Sequence, residues 1–165
     1  MDIKRISRHL WIGGLHVRKI LPAGALYRIT QAIAQCEDAH HGEIRFAVEG
    51  SLHLAPLLKG ITARERAVEV FSQLKIWDTE ENNGVLIYLL VADRTVEILA
   101  DRGVHAKVGH GGWGEICRKM ETEFRQGNFE SGVIDGIRAV SSHLENNFPR
   151  RGPDLNELPD AAIVL

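Results

Sequence analysis

Apolar and polar positions follow two rhythms along this chain, and the change from one to the other marks its elements. Val85 to Val91 (VLIYLLV) is continuously apolar and is bounded by turn-forming residues. It is too short to cross a bilayer and fits a strand covered on both faces. Thr95 to Ala100 (TVEILA) alternates only in part, and the short Ala92-Asp93-Arg94 connection predicts an antiparallel hairpin rather than a crossover. Upstream, Ile44, Phe46 and Val48 alternate with Arg45, Ala47 and Glu49, the period of a strand with one strongly apolar face.

Spacings of three and four mark the helices. After Pro22, a favoured first-turn residue, Leu26, Ile29, Ile33 and Cys36 predict a helix that ends before Gly42. His40 and His41 stand beside Gly42, where they suit a helix C-terminus. Residues 51 to 61 (SLHLAPLLKGI) read as an apolar connector whose Leu52, Leu54, Leu57 and Leu58 fold back on the domain. Thr62-Ala63-Arg64-Glu65 then fits a capping box, with Ala67, Val70, Phe71 and Leu74 as the inward stripe and Trp77 closing the element. Beyond a predicted loop at 103 to 112, Trp113, Ile116, Cys117, Met120 and Phe124 mark one helix. Phe129, Val133, Ile137, Val140 and Leu144 mark another after Gly127.

Strand, helix and buried strand in that order form a βαβ unit with parallel strands and a right-handed crossover. The hairpin that follows makes the sheet mixed. The expected fold is therefore α/β, a three-layer α/β/α sandwich with a small mixed sheet flanked by helices. The chain divides into a basic amphipathic segment (1–21), one domain (22–148) and an extended tail (149–165) whose apolar end, Ala161 to Leu165, can dock.

A length of 165 residues with 44% hydrophobic and 25% charged content suits one globular domain. A formal net charge of −2 gives no support to nucleic-acid binding through overall charge, and none is expected. Cys36 and Cys117 lie far apart on apolar helical faces and read as reduced core residues. The first 21 residues lack the apolar core and cleavage site of a secretory signal, so the expected location is cytoplasmic, peripheral to the inner face of a membrane if the basic segment engages it. In that segment Ile3, Ile6, Leu10 and Trp11 can line one helical face, with Lys4, Arg5, Arg8, Arg18 and Lys19 around it. Two readings stay open: a short helix packed on the domain with its basic side solvated, and an anchor to anionic lipid or a membrane-associated protein. Gly13 and Gly14 interrupt the helix and favour packing.

Catalytic motifs are sparse. Asp101, His105 and His110 match no standard zinc spacing, and there is no HExxH, paired CxxC, P-loop or GxSxG. The glycines of GHGGWG (109–114) fit flexible turn chemistry better than a phosphate cradle. The better candidate is the mouth of the hairpin. Antiparallel pairing brings Glu80, Glu81, Asn82 and Asn83 beside Asp101, Arg102 and Gly103. Carboxylate and amide oxygens there suit a hard cation, calcium or magnesium, with Glu81 and Asp101 as the metal candidates. Arg102 suits a carboxylate or phosphate. The alternative is a solvated loop in which Asp101 and Arg102 serve turn and ion-pair roles.

The order of elements, the stretch NNGVLIYLLVADRTVEILADRG and the stretch EFRQGNFESGVIDGI resemble the TPM domain family, named for its thylakoid, photosystem and acetylcholine-receptor-modulating members. The resemblance is carried by Asn83-Gly84, Asp93-Arg94, Gly103, Phe124, Gly127 and Phe129 over roughly residues 22 to 148. The basic first segment and Asn156 to Asp160 (NELPD) are similar to a bacterial subgroup. This resemblance implies an α/β sandwich, divalent-cation binding, acid phosphatase activity and a role in maintaining membrane-protein complexes. It directs attention to Asn82, Asn83, Gly84, Asp93, Arg94, Arg102, Gly103 and His105 as ligand-binding candidates. The family often has Asp where this chain has Asn82, Gly where it has Asp101 and an acidic residue where it has His105. The leading expectation is therefore a binding module, an accessory or quality-control factor for a membrane-associated complex, and the rival is a cation-dependent phosphomonoesterase.

Overall fold

The computed structural model describes residues 3–12, 14–109, 111–150, 152 and 156–165. Two short helices, α1 (Ile3–Trp11) and α2 (Gly14–Ile20), precede α3 (Ala23–Glu37) and strand β1 (Glu43–Glu49). A one-turn helix α4 (Leu54–Leu58) and α5 (Ala63–Gln73) lead to the hairpin of β2 (Gly84–Leu90) and β3 (Thr95–Ala100). Helices α6 (Arg102–Val108), α7 (Gly111–Arg125) and α8 (Phe129–Asn147) follow, and β4 (Ile163–Val164) comes last.

The sheet runs β3-β2-β1-β4, with β1 parallel to both β2 and β4 and β2 antiparallel to β3. The βαβ unit and hairpin are those expected. Ile44, Phe46, Val48, Val85, Ile87 and Leu89 face α3, α7 and α8. Ala47, Leu86, Tyr88 and Leu90 face Ala63, Ala67 and Val70 of α5. Both faces are thus covered, which is why β2 reads as unbroken apolar sequence. Helix α5 starts at the anticipated capping box: the Glu65 N–H donates to Thr62 Oγ1 at 3.1 Å, and the Thr62 N–H donates to the Glu65 carboxylate at 2.8 Å. Among the described residues no helix is long and apolar enough to cross a membrane.

Four local expectations change. Pro22 is the N-cap of α3 rather than part of its first turn. The predicted loop at 103 to 112 contains α6, because Asp101 Oδ1 accepts the Arg102 N–H at 2.6 Å and starts a helix there. Leu52 and Leu57 are buried, but Leu54 and Leu58 stay exposed, since a helix as short as α4 turns only one side to the core. His40 is no solvated cap: it is buried, its Nδ1 accepts the Gly42 N–H at 3.1 Å, and its Nε2 lies 3.1 Å from Ser141 Oγ. The tail docks, and Ile163 and Val164 add a fourth strand beside Ala47 and Val48.

The largest reversal concerns α1. Arg5 and His9 turn inward, Ile6 packs at the edge of the α5-side core, and Ile3, Leu10 and Trp11 face outward. Of the two open readings, the favoured one had the apolar stripe packed on the domain and the basic side solvated. A fixed carboxylate on the domain, Asp93, selects the opposite face.

Gly84 sets how closely the 76–83 loop approaches β2. A Cβ on Gly84 would collide with the Ile76 carbonyl oxygen and come within 2.8 Å of Ile76 Cγ2. Backbone cannot yield as a flexible side chain can, so Gly84→Ala is expected to cost at least about 2 kcal/mol, read as a lower denaturant midpoint with an unchanged slope.

Candidate functional site at the two ends of the hairpin

The mouth of the hairpin is drawn together by main-chain bonds. The Asp101 N–H donates to Gly84 O at 2.8 Å, and the Gly103 N–H donates to Asn82 O at 3.0 Å. Asn82 turns the chain into β2 with φ +53°, a left-handed conformation that Asn tolerates better than most residues. Gly103 sits against the main chain of the opposite loop, where a Cβ would lie 2.7 Å from Glu81 O and 2.6 Å from Asn82 O.

Two polar side chains are enclosed here. Asn83 is 1% exposed and Asp101 6%. The Asn83 main-chain N–H donates to Thr79 Oγ1 at 3.1 Å, and its side-chain amide donates to His41 O. Asn83 Oδ1 and Asp101 Oδ2 are then left buried without a hydrogen-bond partner. Such oxygens are costly to enclose and are the type of ligand a hard cation takes. Glu81, Asn82 and Arg102 lie at the same mouth but are exposed. Among the described residues no group of three His, Cys, Asp or Glu side chains converges to hold a metal ion. The donor type fits calcium or magnesium, while only one of these two unpartnered oxygens belongs to a carboxylate.

His105 follows Asp101 by one turn, its N–H donating to Asp101 O at 2.8 Å. On α6 it lines a hollow of about 270 Å³ with Arg64, Glu97, Trp113 and Cys117. Burial holds the Cys117 thiol up at about 11, which suits a core thiol and not a nucleophile. His110 lies outside the described residues. A larger groove of about 730 Å³ runs between α7 and α8 and includes none of the hairpin candidates.

Asp93 and Arg94 occupy the turn, some 20 Å from the mouth at about 3.3 Å per strand residue. There Asp93 is a hub: Arg5 donates to its carboxylate through Nε at 3.0 and 3.1 Å and through Nη2 at 2.9 Å. The same guanidinium reaches Ile61 O at 2.8 Å. His9 Nε2 lies 3.1 Å from Asp93 Oδ1, and its Nδ1 accepts the Leu52 N–H at 3.0 Å. That pattern assigns the Nε2–H tautomer.

The TPM domain profile matches residues 18–143. The chain belongs to the TPM domain family. The NMR structure of the BA42 protein from the psychrophilic bacterium Bizionia argentinensis is similar at 34% identity and a TM-score of 0.77, covering 87% of this chain and 94% of that one. The N-terminal domain of a protein from P. gingivalis, at 18% identity and a TM-score of 0.63, covers 81% of this chain and 83% of its own, and shares the fold. No curated protein matches.

In this TPM domain the tail reaches the mouth as well. Glu43 accepts the Glu157 and Leu158 N–H groups, each at 3.1 Å, and Glu157 accepts the Glu80 N–H at 3.0 Å. Neither Glu43 nor Thr79 stood out in the sequence. The only signal was the NELPD segment, with no partner to attach it to. Beside this clamp the Glu37 carboxylate accepts the Ile44 N–H at 2.7 Å. Burial, against the pull of that N–H and helped by Glu43 and Asp160, raises the Glu37 carboxyl to about 9.

Two outcomes follow from these charges. Glu37 keeps its proton in the folded state from the ordinary carboxylate range up to about 9, whereas the unfolded chain loses it. Stability therefore falls as pH rises through that window, by up to about 1.4 kcal/mol per pH unit. Glu37→Gln flattens the decline in urea midpoints measured from pH 5 to 9. Asp93 behaves oppositely: despite the opposing effect of burial, Arg5 and His9 hold its carboxyl below its usual value. Its contribution is present above the unfolded carboxylate value near 3.9 and is lost as pH falls through the lower folded one. Asp93→Asn should cost about 1–3 kcal/mol of docking and raise amide exchange in residues 3–11 first.

Proposed function

We propose that this TPM domain is a binding module, an accessory or quality-control factor for a membrane-associated protein complex, that takes a hard divalent cation at the hairpin mouth. One observation supports the cation reading: at the hairpin mouth Asn83 and Asp101 each enclose an oxygen with no protein partner. Asn83, Asp101 and the carbonyls around Gly103 would supply neutral and anionic oxygens, and exposed Glu81 a further carboxylate, with water completing the six to eight ligands calcium prefers.

The binding reading is favoured over phosphomonoester hydrolysis by charge. A metal-assisted phosphatase must hold its cation firmly, polarise a phosphoryl oxygen and present a nucleophile. Here the enclosed carboxylate also caps α6 through its other oxygen. Exposed Arg102 beside the mouth supports phosphate contact, so hydrolysis is the reading to test against.

The deciding measurement is an NMR titration of the protein with calcium, magnesium and zinc. Saturable shifts confined to residues 80–84 and 101–105, abolished by Asp101→Asn, are expected for calcium or magnesium; a flat titration overturns cation binding. Assays on a generic phosphate ester run in parallel. Turnover that is lost on chelation and in Asp101→Asn would replace the module reading with the phosphatase.

A further inference from the structure

Helix α1 is docked through its polar side, and that leaves an apolar surface facing water. Ile3 is 74% exposed, Leu10 69%, Trp11 90% and, on α2, Leu15 82%. Scattered exposed leucines are ordinary, but four large apolar side chains on two successive short helices form a concentrated patch. The inward anchors of this unit are Arg5 and His9 on Asp93, with Val17 and Leu21 in the core. Its orientation is therefore held by specific bonds, and the patch is presented outward rather than left over from poor packing.

Along the described residues of α1 and α2 the charge is of one sign. Residues 3 to 36 contain no Asp or Glu, and Lys4, Arg8, Arg18 and Lys19 are exposed. Asp93 engages Arg5 closely, while Arg8 stands 3.8 Å from it with its side chain half exposed. An apolar strip bearing a Trp and rimmed by Lys and Arg matches the interface of a bilayer: acyl boundary for the strip, phosphates for the rim. A soluble protein partner would need a matching acidic and apolar surface, and a second copy would bring like charge against like.

We propose that α1 and α2 form a docking surface for an anionic lipid bilayer, with Ile3, Leu10, Trp11 and Leu15 entering the interface and Lys4, Arg8, Arg18 and Lys19 meeting lipid phosphates. The surface deepens the accessory reading and rests on it for its setting, and it lies at the turn end of the hairpin, remote from the cation candidates. Asp93 holds the patch toward the membrane and so ties the TPM core to the orientation in which it sits there.

The test is co-sedimentation of the full chain with vesicles of phosphatidylglycerol and phosphatidylethanolamine, against phosphatidylcholine alone. Binding to the anionic vesicles alone is expected, weakening with salt and falling about fivefold for each of Arg18→Gln and Lys19→Gln. Leu10→Ser with Trp11→Ser should abolish it while leaving the circular dichroism unchanged, since both residues are exposed. In a Trp77→Phe background, Trp11 emission should shift to the blue on binding, because Trp113 is already buried. No binding to anionic vesicles at low salt overturns the proposal, as does equal binding to phosphatidylcholine. Self-association lost in the double variant, without vesicle binding, assigns the patch to a second copy. Vesicle binding that persists in Asp101→Asn separates this result from the fate of the cation site.

Discussion

The constraint on which the rest depends is the charge carried by β1. The strand is central, covered on both faces, and yet holds Glu43, Arg45 and Glu49, all buried. Enclosed charges must be answered or they neutralise. Glu43 and Glu49 are answered by different parts of the chain, and Arg45 only in part. Glu43 takes two main-chain N–H groups from the tail. Arg45 stands among Asp160, Glu37 and Glu43, yet its Nη1 is buried without a hydrogen-bond partner and burial lowers its pKa. Glu49 binds Arg66 of α5 at 2.8 Å and the Tyr88 hydroxyl of β2 at 2.6 Å. Two charges on one strand thus tie the tail and α5 to the sheet.

The hairpin uses its ends for separate purposes. Its mouth gathers buried oxygens and main-chain carbonyls, while its turn carries an anion that fastens a cationic helix. Both ends were grouped as one set of candidates in the sequence, and the strand length keeps them apart. The turn residue Asp93 takes its side-chain hydrogen bonds from Arg5 and His9.

Legibility followed the number of residues behind each signal. The long runs at 85–91 and 95–100, the alternation at 43–49 and the Thr62–Glu65 capping box all specified their elements locally, and the family resemblance held over residues 18–143. What escaped was non-local or brief. Two residues of β4 carry no period, and α6 depends on an Asp101 cap that reads equally as a turn. The orientation of α1 reversed because a stripe of Ile and Leu is inward only when nothing stronger competes, and a carboxylate 84 to 88 positions away does compete. Asn83 and Asp101 were legible as residues of the mouth, but their burial depends on His41, Thr79 and the tail.

The two-residue strand β4 has a consequence for colloidal behaviour. It covers the β1 edge at Ala47 and Val48, and the Leu165 N–H closes on Val48 O at 3.0 Å. Without it, β1 would offer open amide and carbonyl groups along this part of its side, the template on which a neighbouring molecule can add a strand of its own. A few terminal residues therefore guard against intermolecular sheet growth, and a fusion or cleavage there would act on solubility at high concentration before it altered either end of the hairpin.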